Sequence, residues 1–314
     1  TELLPPSQLV KANGWIEGLT IGSIILGVLL GGQLVGPRLS GWLLGFDLPG
    51  IDTPIDTPPE AAIASLVLVY AVAAVFNLRI PHTGVEMRPL PANKLSLLAD
   101  FRRCNSRLWR DRLGQISLAT TTLFWGVSGN MRYIVLAWAA VALGYGTTQA
   151  AGLVGVVAIG TAVGAVAASM RVRLDRATAV MPLGMLMGAL VICMVFVQHL
   201  WVAVPFLIFL GALGGYIVVP MNALLQHRGH NLMGAGRSIA VQNFNEQACI
   251  LGLGALYSAS AGAGMPAFSA IALFGAVVVV VMVLIELWHR HNQRHHTAEV
   301  EHLLEIARSD RLHG

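Results

Sequence analysis

Arg132 stands in the stretch LFWGVSGNMRYIVLAW, residues 123–138, with no other charged residue in it. A guanidinium near mid-bilayer costs about 2.5–3.5 kcal/mol on insertion scales, so it faces a wet cavity or a partner rather than acyl chains. Steps of three, four and seven residues back along a helix put Gly129, Ser128 and Trp125 on its face, with Asn130 close by. Its two parallel N–H donors match two phosphate oxygens, so the face suits a phosphate-bearing ligand. It suits an ion pair with a carboxylate on another span equally well.

A second constellation lies in SIAVQNFNEQACI, residues 238–250. Gln242, Asn245, Glu246 and Cys249 fall on one side of a helix, and with Asn243 they give too many amide and acid groups for a lipid-facing surface. They are expected to line water, with Glu246 serving as a proton site or as a partner in interhelical hydrogen bonds. Asn222 and Gln226 are four apart in VVPMNALLQ and share a face. Asn13, Glu17 and Thr20 share another, although Glu17 sits near the start of its span, where the helix N-terminus alone accounts for a carboxylate.

The elements that carry these groups are membrane spans. The chain has 314 residues, 55% hydrophobic and 11% charged, a balance that excludes an ordinary water-soluble domain and a nucleic-acid-binding one. Apolar runs long enough to cross about 30 Å of hydrocarbon occur at 16–36, 61–79, 116–143, 147–170, 178–197, 201–225, 237–261 and 266–288. They are apolar throughout, whereas a barrel strand alternates, so the fold class is an all-α membrane protein. Cys104, Cys193 and Cys249 have no metal-ligand spacing and read as inert thiols. Small-xxx-small pairs, Gly27 with Gly31, Gly160 with Gly164 and Ala168, and Gly184 with Gly188, predict close helix packing.

Lysine and arginine mark the cytoplasmic side. Residues 80–115 hold Arg88, Lys94, Arg102, Arg103, Arg107, Arg110 and Arg112, and residues 171–177 hold Arg171, Arg173 and Arg176. Arg228 falls in the turn after the sixth span, and Arg290, Arg294, Arg308 and Arg311 in the tail. The alternate loop 37–60 has Arg38 against Asp47, Asp52, Asp56 and Glu60. Both termini of the chain are therefore expected in the cytoplasm. Inside the basic loop, Leu95, Leu98, Phe101, Leu108 and Trp109 recur at helical spacing, which predicts a helix lying on the membrane surface or packed on the bundle. Thr297–Arg308 repeats the pattern weakly. Six of the ten histidines lie in 289–313, a spread that suits a charged tail and not a metal site.

Two spans precede the basic loop and six follow it, and the sequence opens on Thr1. Four further spans ahead of it would give six plus six, so eight of twelve helices are expected here. On that plan 1–80 are the last two helices of an N-terminal half, 81–115 a cytoplasmic linker, 116–289 a six-helix C-terminal half and 290–314 a tail.

LVKANGWIEGLTIGSIILGVLLGG (9–32), LFWGVSGNMRYIVLAWAAVALG (123–144) and GGYIVVPMNALLQHRGHNLMGAGRSIAVQNFNE (214–246) resemble the bacterial lysophospholipid transporters, a family of the major facilitator superfamily. The likeness runs from Leu9 to about Trp288 and leaves the histidine-rich tail without a counterpart. It implies a twelve-helix, multi-pass inner-membrane protein, monomeric and without cofactor. Its substrates would be lysophospholipids such as lysophosphatidylethanolamine, moved to the cytoplasmic leaflet for reacylation by a separate acyltransferase. It further implies that Arg132 works with an acid of the first helix and a lysine of the fourth, both ahead of Thr1. A drug or small-solute exporter of the same superfamily is the alternative. An intramembrane serine protease is suggested only by GVSG (126–129), and no predicted span carries an interior histidine to act as its base.

Overall fold

In the computed structural model the described residues are 4–35, 41, 57–80 and 95–308. Arg38, Asp47, Asp52, Asp56, Arg88, Lys94, Arg311 and His313 lie outside them. The described chain is all-α: the described part of each predicted apolar run lies largely in helix, and no strand occurs among the described residues.

The helices are α1 (Pro6–Val35), α2 (Pro58–Asn77), α3 (Ser96–Arg110), α4 (Gly114–Ala142), α5 (Thr147–Arg171), α6 (Pro182–Cys193), α7 (Leu200–Met233), α8 (Ala235–Gly262), α9 (Ala267–His295) and α10 (Thr297–Arg308). Among the described residues five segments are long and apolar enough to cross a membrane: Pro58–Asn77, Gln149–Arg171, Leu174–Phe196, Leu200–Met233 and Ala267–His295. Helices α4 and α8, which carry the polar stretches quoted above, are as long but less apolar.

The chain falls into two compact units, one of Thr1–Ile21 with Leu90–Gly314 and one of Gly22–Pro89. In the smaller, α2 opens with Pro58 in its first turn, where a missing N–H does no harm, and the Glu60 carboxylate accepts the Thr57 backbone N–H at 2.9 Å. Its Leu66, Leu68, Tyr70 and Phe76 are exposed, as in a helix solvated by lipid.

The larger unit is a packed bundle. Its tightest contact joins α5 to α7, where glycines answer one another. A Cβ on Gly160 or Gly164 would overlap the backbone of Ile208 or Ala212, and one on Gly211 or Gly215 would overlap Val157 or Thr161. Sequence spacing exposed the α5 glycines; Gly211 and Gly215 are their counterparts. Apolar helices in lipid gain little from burying more apolar surface against each other, so backbone approach supplies the attraction. Gly164→Val is expected to force these helices apart and cost about 1–3 kcal/mol, read as a lower thermal midpoint in detergent. A midpoint equal to wild type would show that the contact yields freely. Gly184 makes room for the Met282 side chain of α9, and Gly188 lies against the side chain and backbone nitrogen of Val279.

Two segments depart from expectation. The run 178–197 is not one α-helix: 3-10 turns at Leu174–Val180 and Met194–Phe196 flank α6, which starts at Pro182 because a proline N–H is not needed there. Helix α7 continues eight residues beyond the predicted end at 225, so Arg228 lies inside a helix and not in a turn. Its polar last turns stay helical because their side chains find partners, as Arg228 shows below. The reversal into α8 is made by Gly234 alone, whose φ of 86° only glycine adopts without strain.

Helix α3 packs on the bundle: Cys104 and Leu108 are buried with Leu118, Leu225 and Val241, while Leu95 and Leu98 remain exposed. Arg237 pairs with Asp100 at 2.7 Å, Phe101 meets Phe244 edge-on, and Trp109 stacks on Trp288. The tail helix α10 buries Val300, Leu303 and Ala307, and Arg308 reaches Asp175 at 3.0 Å.

Candidate functional site

Arg132 and Ser128, both exposed, line an open cavity of about 130 Å³ between α4, α5, α6 and α7. The rest of its wall is apolar, including Phe124, Val154, Met187 and Leu210. Gly211, one of the glycines that draw α5 and α7 together, lies in the lining beside Gly214, which faces Phe124 and Met187, and neither presents a side chain. A cationic fork and a hydroxyl at an otherwise greasy cavity can hold an amphiphile: phosphate oxygens at the guanidinium, hydrocarbon along the wall.

The neighbours assigned to Arg132 by spacing separate. Trp125 is not in the lining; its half-buried ring meets Phe124 edge-on at 5.4 Å, and its indole nitrogen has no hydrogen-bond partner among the described residues. Asn130 is buried and donates from one amide nitrogen to the carbonyls of Gly126 (2.8 Å) and Ile250 (3.0 Å), clamping α4 to α8. Gly126 permits that approach, because a Cβ there would press on Cys249.

Four of the residues singled out on α7 and α8 do come together, around Asn13 of α1. The Asn13 amide donates to Gln226 at 3.1 Å and accepts from Asn222 at 3.2 Å. Gln242 donates to Asn222 and to Glu246, each at 2.8 Å. This relay, Gln226–Asn13–Asn222–Gln242–Glu246, ties three helices by side chains that are buried or half-buried. Gly14 lets α1 sit close to Ser169. Sequence periodicity put Asn13 on a face with Glu17 but gave no sign that it was the hub, because its partners lie more than 200 residues away. Glu17 is half-buried, one turn further along α1. None of these side chains lines the Arg132 cavity.

Asn245 turns away from that relay. It donates to Asn105 at 2.9 Å and to the Val241 carbonyl, and accepts from the Trp109 indole at 3.2 Å, so it anchors α3. Asn243 is exposed. Asn245→Leu is expected to speed amide hydrogen exchange across Ser96–Arg110 with α8 unaffected; exchange unchanged in α3 would mean that the aromatic contacts hold it alone.

Together these features define an all-α, multi-pass membrane protein with a polar interior and an apolar-walled cavity that carries Arg132. No family model matches the chain. Curated relatives do. The chain is 35% identical over 293 residues to the lysophospholipid transporter LplT of Escherichia coli O7:K1 (strain IAI39 / ExPEC), covering 93% of this chain and 68% of that protein. It is 34% identical over 292 residues to the protein of the same name from Shigella boydii serotype 4 (strain Sb227), with the same coverage. The chain therefore belongs to the LplT lysophospholipid transporter family.

Proposed function

We propose that this protein carries lysophospholipids such as lysophosphatidylethanolamine across the bacterial inner membrane to the cytoplasmic leaflet, where a separate acyltransferase restores the missing chain. The architecture proposed is that of the major facilitator superfamily, a monomer with eight of twelve helices present here. Residues 1–80 supply the end of the N-terminal half, 81–115 the cytoplasmic linker, 116–289 the C-terminal half and 290–314 a cytoplasmic tail.

The observation that carries this reading is the composition of the Arg132 cavity. A lysolipid has one acyl chain and a phosphate head; the chain crosses hydrocarbon freely and the head does not. A cavity with a guanidinium and a hydroxyl set in apolar walls meets both needs. Substrate contacts are assigned to Arg132 and Ser128. The relay of Asn13, Asn222, Gln226, Gln242 and Glu246 holds α1 against α7 and α8 and is proposed to reorganise during transport, with Glu17 beside it. Trp125, Asn130 and Asn245 are assigned supporting roles.

The test is translocation of labelled lysophosphatidylethanolamine by the intact protein in sealed vesicles. Accumulation in the leaflet corresponding to the cytoplasmic side supports the reading. Export of small amphiphilic drugs with no movement of lysolipid would replace it with the exporter alternative.

A further inference from the structure

The exposed face of α9 changes character along its length. Val280, Leu284 and Leu287 are all more than half exposed and lie on one face, which continues through His291 and Arg294. Arg290 and His295 flank that face. Leu287, Arg290, His291, Arg294 and His295 line an open concavity of about 270 Å³. The opposite face, with Ile285, His289 and Asn292, is buried in the bundle. The cationic groups are thus the continuation of a lipid-facing stripe.

The length of α9 sets their depth. Its 29 residues span about 43 Å, against about 30 Å of hydrocarbon. Residues 267–288 fill the hydrocarbon, which leaves Arg290–His295 in the headgroup layer, whichever leaflet that end faces.

The side chains are arranged and not merely present. Glu286 accepts from Arg290 Nε at 2.8 Å, which fixes the guanidinium and leaves its two terminal nitrogens available. The His291 and His295 rings stack at 4.1 Å and form a flat wall, with His295 Nδ1 held by the His291 carbonyl at 3.1 Å. Glu286 is the one carboxylate in contact with the group among the described residues, and it neutralises only one of the two guanidiniums.

We propose that this concavity binds the phosphate headgroup of an anionic bilayer phospholipid. The acyl chains lie along Leu287, Leu284 and Val280. Arg290 and Arg294 take the phosphodiester oxygens, and the imidazoles contact the polar remainder of the head. Basic pockets at the ends of membrane helices recognise lipid heads by this combination of charge and adjoining apolar surface. The site is distinct from the Arg132 cavity, shares no residue with it and does not depend on what that cavity transports.

The experiment is native mass spectrometry of the full protein released from vesicles of equal phosphatidylglycerol and phosphatidylcholine. Wild type is expected to retain phosphatidylglycerol preferentially. The Arg290→Gln/Arg294→Gln variant is expected to lose roughly tenfold or more of that retention, the effect of removing two cations from the headgroup region. Arg102→Gln/Arg103→Gln, which removes two exposed cations from α3, is expected to keep it. Retention unchanged in the α9 variant, or lost equally in the α3 variant, overturns the site. Excess inorganic phosphate is expected not to displace the lipid; displacement would identify a free-anion site and overturn the lipid assignment. A transporter that fails to move lysophosphatidylethanolamine but passes these tests would refute the proposed substrate and leave this site standing.

Discussion

Alanine at Arg132 is expected to abolish lysophospholipid translocation by the intact protein. Two charge-assisted hydrogen bonds to a phosphate are together worth about 2–4 kcal/mol, so uptake falls at least roughly thirtyfold. The apolar wall built by Phe124, Val154, Met187 and Leu210 is untouched, so the variant folds and melts as wild type does. Arg132→Lys keeps the charge but loses the planar fork, and an intermediate rate is expected. Ser128→Ala removes a single hydroxyl from the same cavity and has a smaller effect. Initial rates of labelled lysophosphatidylethanolamine uptake check all three. Wild-type uptake by the alanine variant would take Arg132 out of the transport path and make it a structural ion-pair partner.

Arg228→Met is expected to be the most damaging single change to stability. Arg228 Nε and Nη2 donate to the two oxygens of Asp111 at 3.1 and 2.6 Å, with side-chain exposures of 6% and 8%. Removing the cation strands a buried carboxylate, at a cost of about 3–5 kcal/mol. The Asp111→Leu/Arg228→Met double variant removes both charges and is expected to recover much of the loss. Recovery is incomplete because Asp111 also accepts the Gly114 backbone N–H at 2.7 Å and so caps the start of α4, a bond worth about 1 kcal/mol. Thermal midpoints in detergent for the two single and one double variants give the coupling. A single variant that melts with wild type would show that the pair contributes nothing.

The two predictions differ in how far they could be read from the chain. Arg132 is conspicuous because a charge in a long apolar run has few explanations, and its partner Ser128 follows from helical spacing alone. The Asp111–Arg228 pair is not conspicuous. Both residues sit among other charges near helix ends, and 117 positions separate them. Trp125 and Asn130 show the opposite failure. Spacing put Trp125 on the face of Arg132 and sequence put Asn130 close by. Neither lines the cavity, because a helix in a bundle is contacted from several directions and one apolar or polar face can serve several neighbours. Asn245 and Gln242 are three apart on α8 yet serve different partners for the same reason: one meets α3 and the other meets α7.

Hydropathy and length by themselves determined that this is an all-α membrane protein, where its helices run and which few polar groups inside them need an explanation. Those properties are local, set by a residue's own transfer free energy and by the period of the helix. Quoted blocks of sequence pointed to the family. Only the tertiary structure decided which of those polar groups meet: that Asn13 joins Asn222, Gln226, Gln242 and Glu246, that Arg228 is held by Asp111, and that Gly211 and Gly215 answer Gly160 and Gly164. Such pairings depend on which helices become neighbours and how they are rotated, and no local preference of the chain encodes that.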